Sequence, residues 1–223
     1  MSIMKKYISF SLWGDKPIYN EGIIKNYYLK EKIYPSWEMV VFYDSSVPIK
    51  TINKLTELGV ECVDVTSKNL YGMFWRFLVL DRSDCEYAIF RDADSRLSKR
   101  EKSGVDEWIS SNKTLHVIRD HPAHAIPFGN NQPGILGGMW GMKGKTLPIE
   151  DMISKFHNSN PTPYGSDQTF LKVIFNIFNN DMFLHDEFSG GNKFKIPREQ
   201  GRFIGERITE NDLPLTNDHL ILI

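Results

Sequence analysis

The sequence has little that would tie it to a membrane, a disulfide scaffold or a polyanion. Only two of its 223 residues are cysteines, Cys62 and Cys85, and neither has the CxxC or Cys/His spacing of a zinc site. No window approaches the roughly 18 uninterrupted apolar residues of a membrane helix, and the serine-interrupted start is unlike a signal peptide. We therefore expect reduced thiols, a cytoplasmic location and no membrane segment.

A large net charge of either sign is also missing. The 27 lysine and arginine residues face 28 aspartate and glutamate residues, so the net charge of −1 gives no general attraction to nucleic acid or anionic lipid. What is present is a globular composition, with 41% hydrophobic and 25% charged residues. Because no linker or repeat interrupts the chain, we expect residues 1–223 to form a single domain.

Hydrophobic periodicity predicts alternating strands and helices in the first half of the chain. The strands are expected at 7–13, 38–43, 60–65 and 86–90, and the helices at 20–32, 49–58 and 71–81. This alternation predicts an α/β fold with a mainly parallel sheet that helices cover on both faces.

The second half is less regular. It is expected to contain helices at 103–110, 149–156 and 166–178, strands at 114–119, 135–142 and 182–185, a long loop over 120–134 and a basic tail. Long loops with several prolines and glycines are common at functional sites.

Two aspartates form the sharpest motif. Asp92 and Asp94 directly follow the apolar strand Tyr87-Ala88-Ile89-Phe90 and then Arg91. Alternate residues of an extended chain point the same way, so the two carboxylates lie side by side at a strand end, where a divalent cation would relieve their repulsion. The alternative is a solvated turn in which Arg91 and Arg96 pair with the aspartates. Phosphatases with an aspartate nucleophile match only in part, because their pair lies on the first strand.

With several other segments, this motif resembles the nucleotide-sugar-dependent glycosyltransferases of the GT-A fold. The matching segments, in chain order, are YISFSLWGD, YGMFWRFLVLD, YAIFRDADSRL, RDHPAH, ILGGMWGMK, YGSDQTFL, FLHDEF and GRFIGER. The resemblance covers nearly the whole chain. It implies a nucleotide-binding half at about 1–97 and an acceptor half at about 98–223.

The resemblance also implies a cofactor and donor contacts. Asp92 and Asp94 would hold Mn²⁺ or Mg²⁺ against the diphosphate of the donor, with Ala93 between them also contacting it. Ser9 and Trp13 on the first strand would contribute to the donor site. The donor would be a nucleoside-diphosphate sugar, with a UDP-sugar expected.

Arg76 is a lone charge in the apolar stretch YGMFWRFLVL. A buried arginine needs an anionic partner, and the diphosphate, the donor sugar and the Asp92/Asp94 pair are the candidates. A salt bridge that only holds the fold is the alternative. With a catalytic role, Arg76 would neutralise charge on the leaving phosphate.

Gly137, Gly138 and Trp140 could form a wall for the sugar, since glycine admits a ligand close to the backbone; a packed strand with a core tryptophan is equally compatible. Asp167 and Gln168 open a predicted helix and match the family position near the reacting sugar, although Asp167 could also be a helix cap.

His185 ends a predicted strand, and Lys193 follows two glycines. In related retaining transferases a late histidine joins the acidic pair as a metal ligand and a later lysine reaches the diphosphate, so the resemblance implies these roles here and favours retention. The usual Pro-Trp after the lysine is absent. His121 and His124 with Asp120 could form a second metal site, a contact to acceptor or backbone, or a polar loop.

The basic tail is interpreted as a solvated surface, as a cover that folds over the diphosphate to exclude water, or as a patch for a polyanionic acceptor. It carries five basic residues between 193 and 207: Lys193, Lys195, Arg198, Arg202 and Arg207.

The function predicted is transfer of a hexose or pentose from a nucleotide sugar, with a glycan, a protein or a modified nucleobase in DNA as possible acceptor. A metal-dependent nucleotidyltransferase or phosphohydrolase, or a non-catalytic nucleotide- or sugar-binding module, is the alternative.

Overall fold

Seven strands form one sheet in the computed structural model, which describes residues 3–125, 134–159 and 165–223. The strands are β1 (Lys5–Leu12), β2 (Glu38–Tyr43), β3 (Glu61–Asp64), β4 (Cys85–Phe90), β5 (Leu115–Arg119), β6 (Trp140–Lys143) and β7 (Met182–Asp186). Their order across the sheet is β3-β2-β1-β4-β6-β5-β7. Most of the predicted 120–134 loop lies outside the described residues, as does Tyr164.

Six α-helices accompany the strands in the described ranges. They are α1 (Pro17–Ile33), α2 (Ile49–Glu57), α3 (Gly72–Trp75), α4 (Lys99–Ser111), α5 (Ile149–Ser159) and α6 (Ser166–Phe178), with 3₁₀ segments at Arg76–Asp81, Pro122–His124 and Asp218–Leu222. None of these helices combines the length with the apolar character that a bilayer crossing demands.

The α/β class predicted from the periodicity is confirmed. Strands β1 to β4 are parallel to one another, and β5 is parallel to β7. The exception is β6, which runs antiparallel to both β4 and β5. The strand predicted over 135–142 is shorter, because β6 begins only at Trp140 and a turn at Gly137 and Gly138 precedes it.

The long helix predicted over 71–81 is also different. It is a single α-turn, α3, that continues as a 3₁₀ segment from Arg76. The backbone of Arg76 bonds to side chains of β1: its N–H donates to Ser11 Oγ (2.9 Å), and its carbonyl accepts from Ser9 Oγ (2.7 Å). These bonds attach the segment tightly to the sheet and set the place of the Arg76 side chain.

Two apolar cores lie on the two faces of the sheet, one beneath α1, α2 and α4 and the other beneath α3, α5 and α6. Trp140 belongs to the second core. It is fully buried, and its ring centroid lies 5.0 Å from Phe77 and 4.2 Å from Phe90. Of the two interpretations of Trp140, the packed core residue is therefore the correct one.

The antiparallel direction of β6 positions the second half of the chain against the first. Phe90, the last residue of β4, pairs with Trp140, the first residue of β6. The residues that follow β4 therefore meet those that precede β6. This brings Asp92 against Gly138, although 46 positions separate them in the sequence.

Candidate functional site

A cavity of about 420 Å³ lies at the carboxyl ends of β1 and β4. Ligands of open α/β sheets bind at this edge. The described residues that line it are Ser11, Leu12, Trp13, Tyr19, Arg76, Asp92, Ala93, Asp94, His124, Leu136, Gly137, Gly138, Met139, Asp167, Gln168, Gly205 and Arg207. The cavity thus brings together nine of the predicted site residues: Trp13, Arg76, Asp92, Ala93, Asp94, Gly137, Gly138, Asp167 and Gln168.

Helix α1 holds the acidic turn in place. A Cβ atom on Gly22 would lie 2.2 Å from the carbonyl oxygen of Ala93, so a glycine is required for this close approach. Asn26 in the same helix donates to the carbonyl of Ser95 (2.8 Å) and accepts from the backbone N–H of Leu97 (3.1 Å). The turn that carries both aspartates is therefore clamped on one side.

Arg76 links two acidic residues from distant parts of the chain. Its side chain is only 6% exposed; it forms an ion pair with Asp92, and its Nη2 lies 3.5 Å from Asp167 Oδ2. A further N–H donates to the carbonyl of Arg91 (3.1 Å). The structure thus places Arg76 against the acidic motif, one of the partners expected from the sequence.

Asp94 takes a different cationic partner, since Arg207 Nε donates to Asp94 Oδ2 (2.8 Å). The partners expected in the solvated-turn alternative are engaged elsewhere. Arg91 is buried and bonds to Glu101 at 2.8 Å, and Arg96 bonds to Asp212 at 3.0 Å.

The pKa values of two cavity carboxyls are raised above the ordinary value. Burial is the main cause for Asp94, the charge of Asp92 adds to it, and Arg207 opposes it. Burial is again the main cause for Asp167, where Arg76 opposes the shift and Asp92 adds to it. The charges of these acids are therefore costly in the absence of a nearby cation.

Gly137 and Gly138 make room for these acids. A Cβ atom on Gly137 would lie 2.1 Å from Asp167 Oδ2, and one on Gly138 would lie 2.0 Å from Asp92 Oδ2. The space beside the two glycines, where a sugar was expected to approach the backbone, is thus occupied by two carboxylates of the protein itself. Any larger side chain at either position would displace an acid from the cavity.

The acidic pair suits a hard divalent cation. The Asp92 side chain is 48% exposed, and the lining has three carboxylates against two guanidiniums, which leaves an excess of negative charge. Within the described ranges, no three His, Cys, Asp or Glu side chains converge as a self-sufficient metal site. One or two carboxylates with substrate and water oxygens is the usual set for Mg²⁺, so the residues fit a cation that shares its shell with the substrate.

Ser9 and Lys193 were predicted to bind the donor, and the structure does not bring either into the cavity lining. Ser9 is fully buried, and its hydroxyl is used by the Arg76 carbonyl. Lys193 Nζ donates to the backbone carbonyls of Asp186 (3.1 Å) and Glu187 (2.5 Å). Both side chains stabilise nearby backbone.

The structure does not bring His185 together with Asp92 and Asp94, which were predicted to share a metal with it. His185 is fully buried, and its Nδ1 lies 2.9 Å from Nε2 of His116. Its ring stacks on Phe194 with the centroids 4.5 Å apart. His185 is thus a core residue beside β5 and does not line the cavity with the two aspartates.

The buried histidine pair predicts a pH dependence of stability. Burial lowers the pKa of His185 to about 4 and that of His116 well below its ordinary value. Below about pH 6.5 the unfolded chain binds protons that the folded chain does not. The free energy of unfolding should therefore fall by about 1.4 kcal/mol for each unit by which the pH is lowered, for each such histidine, until the pKa of that histidine in the folded protein is reached.

Urea unfolding between about pH 7 and pH 5 measures this slope. In a His185→Asn variant the slope should be smaller by the contribution of one histidine, whatever the change in absolute stability. An unchanged slope in the variant would show that His185 is not neutral in the fold.

Asp120 binds two arginines. It is fully buried and pairs with Arg100 (2.8 Å) and Arg198 (2.5 Å), and it also accepts from the backbone N–H of Ile204 (3.0 Å). His121 and His124 pack against Phe203, with ring centroids 4.7 and 5.5 Å away. Asp120 therefore anchors the carboxyl-terminal segment, and the second metal site is not formed.

Several cavity residues were not predicted as site residues. Ser11 and Tyr19 flank Trp13 in the sequence, and the alternation of β1 could have indicated Ser11. Met139 and Gly205 contact each other across the cavity wall. Arg207 belonged to the basic tail, but nothing in the sequence singled it out, because its partner Asp94 is 113 residues away.

No protein-family model matches the sequence, and no curated protein matches it either. Solved structures do match. The S. aureus TarS fragment 1–349 superposes with a TM-score of 0.55 at 13% identity, covering 83% of this chain and 59% of the fragment. The mannosyltransferase PcManGT from Pyrobaculum calidifontis, in complex with GDP-Man and Mn²⁺, gives 0.53 at 13% identity, with 84% of this chain and 56% of that one.

The galactosyltransferase LgtC, in complex with donor and acceptor sugar analogues, has a TM-score of 0.50 at 14% identity, covering 80% of this chain and 72% of its own. All three are glycosyltransferases of the GT-A fold. The likeness shows that this chain has the GT-A fold, as the sequence resemblance implied.

Proposed function

We infer that the protein is a metal-dependent glycosyltransferase that moves a sugar from a nucleoside-diphosphate sugar to an acceptor. The observation that carries this inference is the acidic pair Asp92 and Asp94 at the carboxyl end of β4, within one cavity with Arg76 and Asp167. The shared GT-A fold supports it, as do the Mn²⁺ and nucleotide sugar bound to the mannosyltransferase.

Asp92 and Asp94 would hold Mn²⁺ or Mg²⁺, which when bound stabilises negative charge on the leaving diphosphate. Asp92 has the more exposed carboxylate and would be the first contact of an entering cation. Arg76 keeps Asp92 and Asp167 in a fixed arrangement within the cavity. Its buried guanidinium also adds positive potential where charge develops on the phosphate.

The donor proposed is a UDP-sugar. The sequence resemblance implies this donor, and a cavity of about 420 Å³ lies within the ordinary range of small-molecule sites. Trp13 provides an aromatic surface beside the cavity, since the residue is 47% exposed and its ring packs edge to face on Trp75. A GDP-sugar, as in the mannosyltransferase, is the competing donor.

Asp167 is proposed to act next to the reacting sugar, with Gln168 beside it in the lining. In the reaction the bond between the sugar carbon and the diphosphate oxygen breaks, its electron pair leaves on the phosphate, and the acceptor oxygen forms the new bond while losing a proton. A carboxylate of raised pKa such as Asp167 is suited to accept that proton. The leaving phosphate is the alternative proton acceptor in a retaining reaction.

Retention stays a prediction. It was inferred from His185 as a metal ligand, and the structure places His185 in the core, so that support is lost. The anomer first released when the enzyme hydrolyses an α-linked donor, recorded by NMR before mutarotation, distinguishes retention from inversion.

The test of the function is a panel of UDP- and GDP-sugars incubated with Mn²⁺, with release of nucleoside diphosphate as the readout. We expect slow hydrolysis of one donor without acceptor, and a faster release once a glycan, protein or nucleobase acceptor is supplied. Chelation of the metal should abolish both. Pyrophosphate release from a nucleoside triphosphate would instead indicate a nucleotidyltransferase, and absence of any nucleotide-sugar turnover or binding would contradict the proposal.

A further inference from the structure

Arg207 is the more exposed of the two arginines that line the cavity in the described part of the chain. Its side chain is 55% exposed, whereas that of its partner Asp94 is 9% exposed. Arg76, the other guanidinium of the lining, is 6% exposed and held by two carboxylates. A side chain that is more than half exposed can leave its partner without disturbing the core, and Arg76 cannot.

The backbone around Arg207 is fixed. The N–H of Ile208 donates to the Asp94 carbonyl (2.6 Å), and the N–H of Ile204 donates to buried Asp120 (3.0 Å). Gly205, with φ of +83°, makes the turn between them and lies against Met139. Movement at this place is therefore a swing of the Arg207 side chain and does not require the segment to detach.

Asp94 needs a positive charge beside it even when no metal is bound. Its carboxylate is buried beside the charge of Asp92, and an unpaired buried carboxylate is strongly unfavourable. The Arg207 guanidinium supplies this charge from the solvent side of the cavity, 2.8 Å from Asp94 Oδ2. A divalent cation that binds Asp94 must compete with it.

We propose that Arg207 is an internal counter-ion of Asp94 that an entering divalent cation displaces, and that the released guanidinium then binds the phosphate groups of the donor. This inference rests on the proposed metal-dependent function of the cavity. Arg207 is then a positioning residue that makes binding of metal and binding of diphosphate depend on each other. Metal alone should bind weakly, and metal with nucleotide more tightly.

Two binding measurements test this without any turnover. Free Mn²⁺ is first titrated with protein and followed by EPR, and UDP or GDP is then titrated into the protein at saturating Mn²⁺ and followed by calorimetry. Both are done for the wild type and for Arg207→Gln and Arg207→Lys. Lys195→Gln is the matched control, because it removes one positive charge from the same segment at an exposed position outside the cavity.

The counter-ion proposal predicts opposite signs in the two measurements. Arg207→Gln should bind Mn²⁺ roughly three- to tenfold more tightly than wild type without nucleotide, because the competing cation is gone. With Mn²⁺ present, it should bind nucleoside diphosphate more weakly. Arg207→Lys keeps the charge and should restore both values in large part, and Lys195→Gln should change neither.

A role that only stabilises the fold would lower both affinities together, and this result would overturn the proposal. Unchanged or weaker Mn²⁺ binding in Arg207→Gln, with an unaltered thermal unfolding midpoint, would overturn it too, as would a failure of all variants to bind Mn²⁺. The proposed transferase function fails separately, through absence of nucleotide-sugar turnover in the wild type, while the shift in Mn²⁺ affinity can still be observed.

Discussion

Replacing Asp92 with asparagine is expected to reduce donor turnover by at least about 100-fold, because the half-exposed carboxylate is the proposed entry point for the cation. The amide is nearly the same size, so the cavity keeps its shape, but one negative charge near the metal is lost. Steady-state release of nucleoside diphosphate, at saturating Mn²⁺, measures the effect. The Mn²⁺ affinity should fall in parallel.

Asp106→Asn is the matched control for this variant. Asp106 lies on α4, its side chain is 57% exposed, and it pairs with Lys102 at the surface. The same chemical change there should leave turnover within about twofold of wild type, as expected for an exposed ion pair. If Asp92→Asn kept most of its activity while both variants folded, the acidic pair would not be the metal site.

Replacing Gly138 with alanine is expected to abolish activity by displacing Asp92. The new Cβ atom would lie 2.0 Å from Oδ2 and 2.5 Å from Cγ of Asp92, and the backbone nitrogen of Asp92 at 3.1 Å limits any retreat. Such overpacking costs about 1 to 3 kcal/mol of folding stability. We expect turnover per folded molecule to fall by about 100-fold or more, since the carboxylate leaves its position beside Arg76.

Gly59→Ala separates the loss of stability from the loss of activity. Gly59 follows α2 with φ of +82°, and no atom lies within 4 Å of the position of its Cβ. Alanine there should cost about 1 kcal/mol through backbone strain alone, with normal turnover. Urea unfolding and activity assays on both variants make the comparison. Full activity in Gly138→Ala would mean that Asp92 does not act from its present position.

Local sequence patterns were sufficient to predict the site residues that lie at the ends of strands and helices. Asp92 and Asp94 follow the predicted strand β4, and the start of α6 at Ser166 was predicted at the observed residue. Because parallel strands end at one edge of the sheet, their following residues meet there. The sheet class and the acidic edge therefore came from sequence periodicity alone.

Contacts between distant segments could not be predicted in this way. His185 was assigned to the metal, but its ring bonds to His116, which is 69 residues earlier, and its burial depends on that packing. The 3₁₀ segment after Trp75 replaced a predicted helix because Ser9 and Ser11 bond to the backbone of Arg76. A single sequence does not indicate that His185 contacts His116, or that Ser9 and Ser11 bond to the backbone of Arg76.

The reversed direction of β6 has a consequence for any attempt to cut the chain into the two halves expected from the sequence. Strand β4 lies between β1 and β6, and β6 is formed by residues 140–143. A fragment that stopped at about residue 97 would therefore leave one edge of β4 unpaired. That edge carries Tyr87, Ala88, Ile89 and Phe90, and open apolar edges recruit strands from other molecules. The two halves expected from the sequence are therefore not independent folding units, and a fragment ending near residue 97 is expected to aggregate.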